Sequence, residues 1–133
     1  MSTDGGVPCP FCHLPAERVI AENTLALAIL DGFPVTSLHT LVIPKRHAET
    51  YFDLDGEEVA ACDALLRQLR TDLLARDATI EGFNIGINAG AVAGQTVFHC
   101  HIHLIPRRRG DVDDPRGGVR HLIPGKGYYQ AKE

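Results

Sequence analysis

Histidines occupy every second position of His99-Cys100-His101-Ile102-His103, and the run continues through Leu104-Ile105-Pro106 into Arg107-Arg108-Arg109. Imidazole serves as nucleophile, proton carrier, donor to phosphate or metal ligand near neutral pH. Cys100, Ile102 and Leu104 alternate with the histidines. That period of two reads as a β-strand with an apolar face and three imidazoles on the other. A lone histidine near a core is ordinarily a hydrogen-bonded structural residue. Three on one face of a stiff element point instead to a built site.

A second constellation lies near the N-terminus. Cys9-Pro10-Phe11-Cys12 is a Cys-x-x-Cys knuckle whose two thiolates reach one Zn²⁺, a metal that in structural sites takes four sulfur or nitrogen ligands. Two cysteines are half of such a set; His13, His47 and a strand histidine are candidates to complete it. A redox pair is the competing reading, although Pro15 interrupts the helix such a pair usually opens. Cys62 and Cys100 fall at apolar positions of a helix and a strand and read as small core residues.

Several elements must position these groups. Thr24 to Leu30 is apolar and ends at the turn signal Asp31-Gly32, which predicts a strand. Leu38 to Ile43, stopped by Pro44, predicts a second, paired with the first across a short connection. Asp55-Gly56-Glu57-Glu58 opens a helix, with Asp55 as N-cap and Glu58 bonding back. Its apolar stripe is Val59, Cys62, Leu66, Leu69 and Leu73, widened by Leu65 and Leu74; Glu57, Asp63, Arg67, Arg70 and Asp72 form a solvated face. Phe83 to Asn88 predicts a third strand. The small-residue loop Ala89 to Gly94 then leads through Gln95 and Thr96 into the histidines, which places Asn88, Gln95 and Thr96 near them. A glycine-bearing loop is by itself a weak phosphate signal, since loops use glycine for positive φ in any case.

At 133 residues the chain is expected to form a single domain, residues 1–133. A hydrophobic content of 44% and charged content of 23% are ordinary for a soluble protein. The net charge of −4 gives no global signal for nucleic acid or membrane. Positive charge is local: Arg107, Arg108, Arg109, Arg116 and Arg120 follow the histidines and suit either an anionic ligand or a solvated loop. No apolar run is long enough to span a bilayer, and the polar Met1 to Val7 lacks the apolar stretch of a secretory signal. A cytoplasmic protein with reduced thiols is therefore expected.

The segment Gly94-Gln95-Thr96-Val97-Phe98-His99-Cys100-His101-Ile102-His103-Leu104-Ile105 resembles the signature of the histidine triad (HIT) family, His-x-His-x-His followed by apolar residues. The resemblance extends through Asp31, through His39-Thr40-Leu41-Val42-Ile43-Pro44-Lys45-Arg46-His47 and through Asn88-Ala89-Gly90, so it covers about residues 9–106 and leaves a tail, 107–133. The tail from Gly110 through Tyr129 is similar to bacterial members on the dinucleoside-polyphosphate hydrolase branch. The resemblance implies an α+β fold in which an antiparallel sheet is covered by one long helix, with homodimers formed through that helix and a sheet edge. It implies binding of a purine mononucleotide or dinucleoside polyphosphate and nucleotidyl transfer to the middle histidine, His101. His39 and His103 then match pocket histidines, with His99 counted beside them and His101 among the catalytic candidates, Asp31 the position that bonds ribose hydroxyls, and Asn88, Gln95 and Thr96 positions that hold phosphate or leaving group. In zinc-bearing relatives the equivalents of Cys9, Cys12, His47 and His99 surround a structural metal. The family also contains phosphoramidases, nucleotidyltransferases and slow members that act as nucleotide- or zinc-binding modules. One departure is Leu38, which stands where most relatives carry glycine before His39.

Overall fold

The helix expected from Asp55 is α1, Gly56–Arg76. Asp55 accepts from the Glu58 N–H at 2.8 Å, and Glu58 accepts from the Asp55 N–H at 3.0 Å, a reciprocal capping box. Glu58 is buried even so, because Arg46 donates to its two carboxylate oxygens at 2.7 and 2.9 Å. That hydrogen-bonded guanidinium holds the Glu58 carboxyl below the usual carboxylate range. The buried stripe of α1 is Cys62, Leu65, Leu69 and Leu73. Leu65 lies at its centre, whereas Val59, Leu66 and Leu74 are half-buried on its flanks.

A computed structural model describes residues 8–128. Met1 to Val7 and Tyr129 to Glu133 lie outside the described residues, and with them the sequence reading of the polar N-terminus and the last part of the tail. Strands β1 (Val19–Glu22), β2 (Ala26–Leu30), β3 (Thr40–Pro44), β4 (Ile80–Ile87) and β5 (Ile102–Arg108) form an antiparallel sheet in the order β1-β2-β3-β5-β4. The expected pairing of β2 with β3 is present, from Ala26 opposite Pro44 to Leu30 opposite Thr40. β4 starts earlier than the sequence suggests. β1 carries no periodic signal: it is a four-residue edge strand, irregular in register between Val19 and Ala21.

Helix α1 packs on one face of this sheet, with Ala26, Ala28, Val42, Ile102 and Leu104 beneath Cys62, Leu65, Leu69 and Leu73. On the opposite face Ile29, Leu41 and Ile43 meet Phe11 and Leu14 of the N-terminal segment. β3 is buried along its whole length because both faces are covered. Leu41 is paired directly with His103, so His103 belongs to that second face.

The single row of three imidazoles does not form. β5 begins only at Ile102, and the Cys100 N–H donates to the Ala48 carbonyl at 2.7 Å instead of entering the ladder. His99, Cys100 and His101 therefore precede the strand, and the alternation that places Ile102 and His103 correctly does not extend back to His99. Local periodicity marks which side chains alternate; where the hydrogen-bonded ladder starts depends on the partner strand.

Candidate active site and metal centre

His39, immediately before β3, and His103, in β5, are brought together by the β3–β5 pairing, with His39 Nε2 2.9 Å from His103 Nδ1. The Val35 N–H donates to His39 Nδ1 at 3.1 Å. Asp31 directly follows β2; its Oδ1 accepts from the Phe33 N–H at 2.7 Å, and its Oδ2 lies 3.5 Å from His39 Nε2. Burial pushes the His39 imidazole below its ordinary pKa, against the pull of Asp31. Burial also lowers that of His103, and the neighbouring His101 and His39 add to the effect. Both shifts favour the neutral ring.

His101 is half-buried, its ring centroid 5.3 Å from that of His103. Its Nδ1 donates to the His99 carbonyl at 2.8 Å. A carbonyl only accepts, so in the neutral ring the proton sits on Nδ1 and Nε2 carries the lone pair. This is the tautomer an attacking imidazole needs.

His101 and His103 open on a cavity of about 400 Å³ that Asp31, Asn88, Gly94 and Thr96 also line. Its remaining wall is largely apolar, from Phe11, Ile29, Phe33, Leu41 and Val97, with Arg18 at the side. Phe11 meets the edge of His101 at a centroid distance of 5.0 Å. Sequence reasoning did not single out these wall residues. Phe11 carried a signal only through its place in the Cys-x-x-Cys knuckle, and Arg18 carried none.

Gln95 is not part of this lining. It is buried, its amide donates to Glu49 O at 2.6 Å and Val97 O at 3.1 Å, and its Oε1 accepts from the Gly90 N–H at 2.8 Å. The side chain braces the loop that presents Asn88, Gly94 and Thr96. Gly90 and Gly94 have φ of 99° and 98°, values that favour glycine, so the loop takes a course side chains would resist.

His99 is fully buried and belongs elsewhere. Its Nε2–H donates to the Pro44 carbonyl at 2.7 Å, which leaves the lone pair on Nδ1. That nitrogen lies 3.5 Å from both Cys9 Sγ and Cys12 Sγ, and Cys12 Sγ lies 3.2 Å from His47 Nδ1. One ligand atom from each of Cys9, Cys12, His47 and His99 falls within 4.8 Å of all the others. Tetrahedral zinc with bonds of about 2.3 Å to sulfur and 2.0 Å to nitrogen places those atoms about 3.5 Å apart. The donor set and spacing fit that metal. Of the candidates for completing the knuckle, His47 and His99 join it, and the exposed His13 does not. Burial drives the Cys62 thiol up to about 11 and the Cys100 thiol up to about 12, which makes both inert core residues.

The three consecutive arginines are each matched by an acid. Arg107 pairs with Asp111 at 2.7 Å, Arg108 with Asp77 at 2.9 Å and Arg109 with Glu81 at 2.9 Å. None of them lines the cavity that holds His101.

A HIT domain profile matches residues 15–110. The chain belongs to the histidine triad family. This HIT protein is 42% identical over 103 residues to an uncharacterised 16.1 kDa HIT-like protein of Mycoplasma pneumoniae, covering 74% of this chain and 71% of that one. A zinc-bound histidine triad family protein from Mycobacterium smegmatis superposes with a TM-score of 0.71 at 41% identity, covering 78% of each chain. Diadenosine triphosphate hydrolase from Plasmodium falciparum, solved with cyclomarin A, gives a TM-score of 0.70 at 29% identity, over 76% of this chain and 68% of that one. Two further solved relatives are longer, the chain spanning 65% and 62% of their lengths. The cluster of histidines in a HIT domain supports hydrolase or transferase activity on nucleotide-type substrates.

Proposed function

We propose that this HIT protein is a hydrolase of dinucleoside polyphosphates such as diadenosine tetraphosphate, acting through a nucleotidyl-histidine intermediate. The observation that carries the reading is the His101 Nδ1–His99 O bond, which leaves a nucleophilic Nε2 in a polar-ended, apolar-walled cavity. In the first step the His101 Nε2–phosphorus bond forms and the bridging phosphorus–oxygen bond to the leaving nucleotide breaks. In the second, water oxygen replaces nitrogen on phosphorus, a nucleoside monophosphate leaves, and His101 is restored. Splitting one displacement into two leaves the protein mainly with positioning and charge stabilisation to supply. His103 supplies a polar contact to the phosphoryl group and His39 holds His103 from behind, Asn88 and Thr96 hold phosphate or leaving group, and Asp31 offers Oδ2 to the ribose hydroxyls. The apolar wall receives the purine. Gln95 acts on the nucleotide through the loop it braces. The similarity to a diadenosine triphosphate hydrolase supports the substrate class.

Cys9, Cys12, His47 and His99 would hold zinc, and the zinc-bound mycobacterial relative supports that assignment. Bound there, the metal supplies a structural cross-link, because four protein donors leave no open position for water. It would tie the knuckle to the segment preceding β5. The reduced thiols it requires fit a cytoplasmic setting.

The partner is a second copy of the chain. The outer edge of β4 has no strand beside it among the described residues, and Ile85 is 54% exposed there next to Leu66 and Leu74 of α1. An unpaired apolar edge of this kind is a template for pairing.

Steady-state hydrolysis of diadenosine tetraphosphate by the wild type and by His101→Ala, with products resolved by ion-exchange chromatography, tests the reading. Turnover lost in the variant supports it. Turnover confined to an adenosine phosphoramidate, or requiring phosphate as acceptor, moves the assignment to phosphoramidase or nucleotidyltransferase. Tight nucleotide binding without turnover of any of these makes the chain a binding module.

A further inference from the structure

The loop that joins β2 to β3 touches His39 through its backbone and is tied to the far end of β5 by the side chains of Thr36 and of Arg108. We propose that Val35, Thr36 and Arg108 are positioning residues, which fix the tautomer of His103 by presenting the Val35 N–H to His39. The inference rests on the reading of His103 as a group that faces the nucleotide.

A backbone N–H can only donate, so the 3.1 Å contact from Val35 makes His39 Nδ1 an acceptor. In the neutral ring the proton then sits on Nε2, 2.9 Å from His103 Nδ1. His103 Nδ1 accepts it, and the proton of His103 is placed on Nε2. His103 lines the cavity, so it meets a ligand as a donor, the polarity a phosphoryl oxygen requires. With the Val35 donor withdrawn, both rings are free to exchange tautomers, and the alternative form turns a lone pair on that oxygen.

The loop is held for this at two points. Thr36 Oγ1 donates to the Pro106 carbonyl at 2.7 Å. Arg108 donates to the Ser37 carbonyl at 3.0 Å while the same guanidinium grips Asp77 at 2.9 and 3.2 Å. Leu38, next to His39, has φ of 70° and is the one non-glycine residue in the left-handed region among those described. Strain of that kind persists only where surrounding bonds over-determine the backbone, and these two straps do so directly before it.

The test is ¹⁵N NMR of the imidazoles in the full chain, with signals assigned through single His→Gln variants, alongside kinetics on the hydrolysed nucleotide. The wild type should show His39 and His103 each as one tautomer protonated on Nε2. Val35→Pro removes the donor, and fixes φ, at a residue whose side chain is exposed; it should populate the second tautomer of both rings and lower kcat by about a hundredfold with KM little changed. Thr36→Val and Arg108→Met should produce the same mixture to a smaller extent, with Arg108→Lys closer to the wild type, and they carry the test if Val35→Pro does not fold. Mixed tautomers in the wild type, or unchanged tautomers in folded variants, would overturn the proposal. Because tautomers are read without substrate, failure of the hydrolase reading appears separately, as turnover that survives His101→Ala.

Discussion

His99 donates its Nε2–H to the Pro44 carbonyl across 2.7 Å, and this bond is what turns its other nitrogen toward Cys9 and Cys12. A carbonyl that accepts from the far nitrogen of a ligating imidazole fixes the ring in the form that binds metal. The purified protein should therefore carry one zinc per chain by elemental analysis, and His99→Ala should lose it. Chelation should lower the melting temperature while turnover persists below the new transition. Loss of turnover on chelation with the fold intact would assign the metal a different role.

Burial holds His39 and His103 below their ordinary value of 6.5. As pH falls past 6.5 the unfolded chain takes up protons that the folded chain resists, so the unfolded state binds more protons and gains population. Stability from this pair is fully present above about pH 6.5 and declines below it, toward the lowered folded values. Urea midpoints on either side of that pH measure the decline, and His39→Gln should flatten part of it.

Asp77 behaves in the opposite sense. Hydrogen bonds from Thr79, and then from Arg108, hold its carboxyl down to about 2. Its contribution is present above the ordinary 3.8 and is lost as pH falls from there toward 2. Asp77→Asn should remove that acid-dependent loss in denaturation curves.

Leu65 sits at the centre of the α1–sheet interface at 1% exposure. Leu65→Ala should cost about 2–5 kcal/mol in chemical denaturation. Asp55→Ala, which removes the N-cap, should cost about 0.5–2 kcal/mol. Equal effects would mean the stripe is not centred on Leu65.

Ile85 projects from the β4 edge among residues of α1. Ile85→Glu should convert a dimer to monomer in sedimentation velocity, with the monomer's secondary structure retained. A wild type that sediments as a monomer throughout would remove the dimer from the proposed function.

Where the controlling interaction was local, it was legible in the residues. The Asp55–Glu58 box named the start of α1 because both of its bonds lie within four residues. Asp31-Gly32 and Pro44 bounded β2 and β3, and Ile102 and Leu104 were correctly given to the core. Val19–Glu22 stayed hidden because a short edge strand has too few residues to display a period. Leu65 and Leu66 are adjacent on a helix, and only the packing against the sheet beneath decides which one points inward.

The sequence by itself determined the chemistry on offer: imidazoles at 99, 101 and 103, a thiol pair at 9 and 12, and an acidic turn at 31, on an α+β framework. Only the tertiary structure divided them. His99 went to the thiols, through contacts 90 and 87 residues apart in the chain, while His101 and His103 went to the cavity. Gln95 became a brace because its acceptor, Glu49 O, lies 46 residues away. Hydrogen-bond direction and the start of a strand depend on partners brought in by folding, and a run of residues carries no record of where those partners will stand.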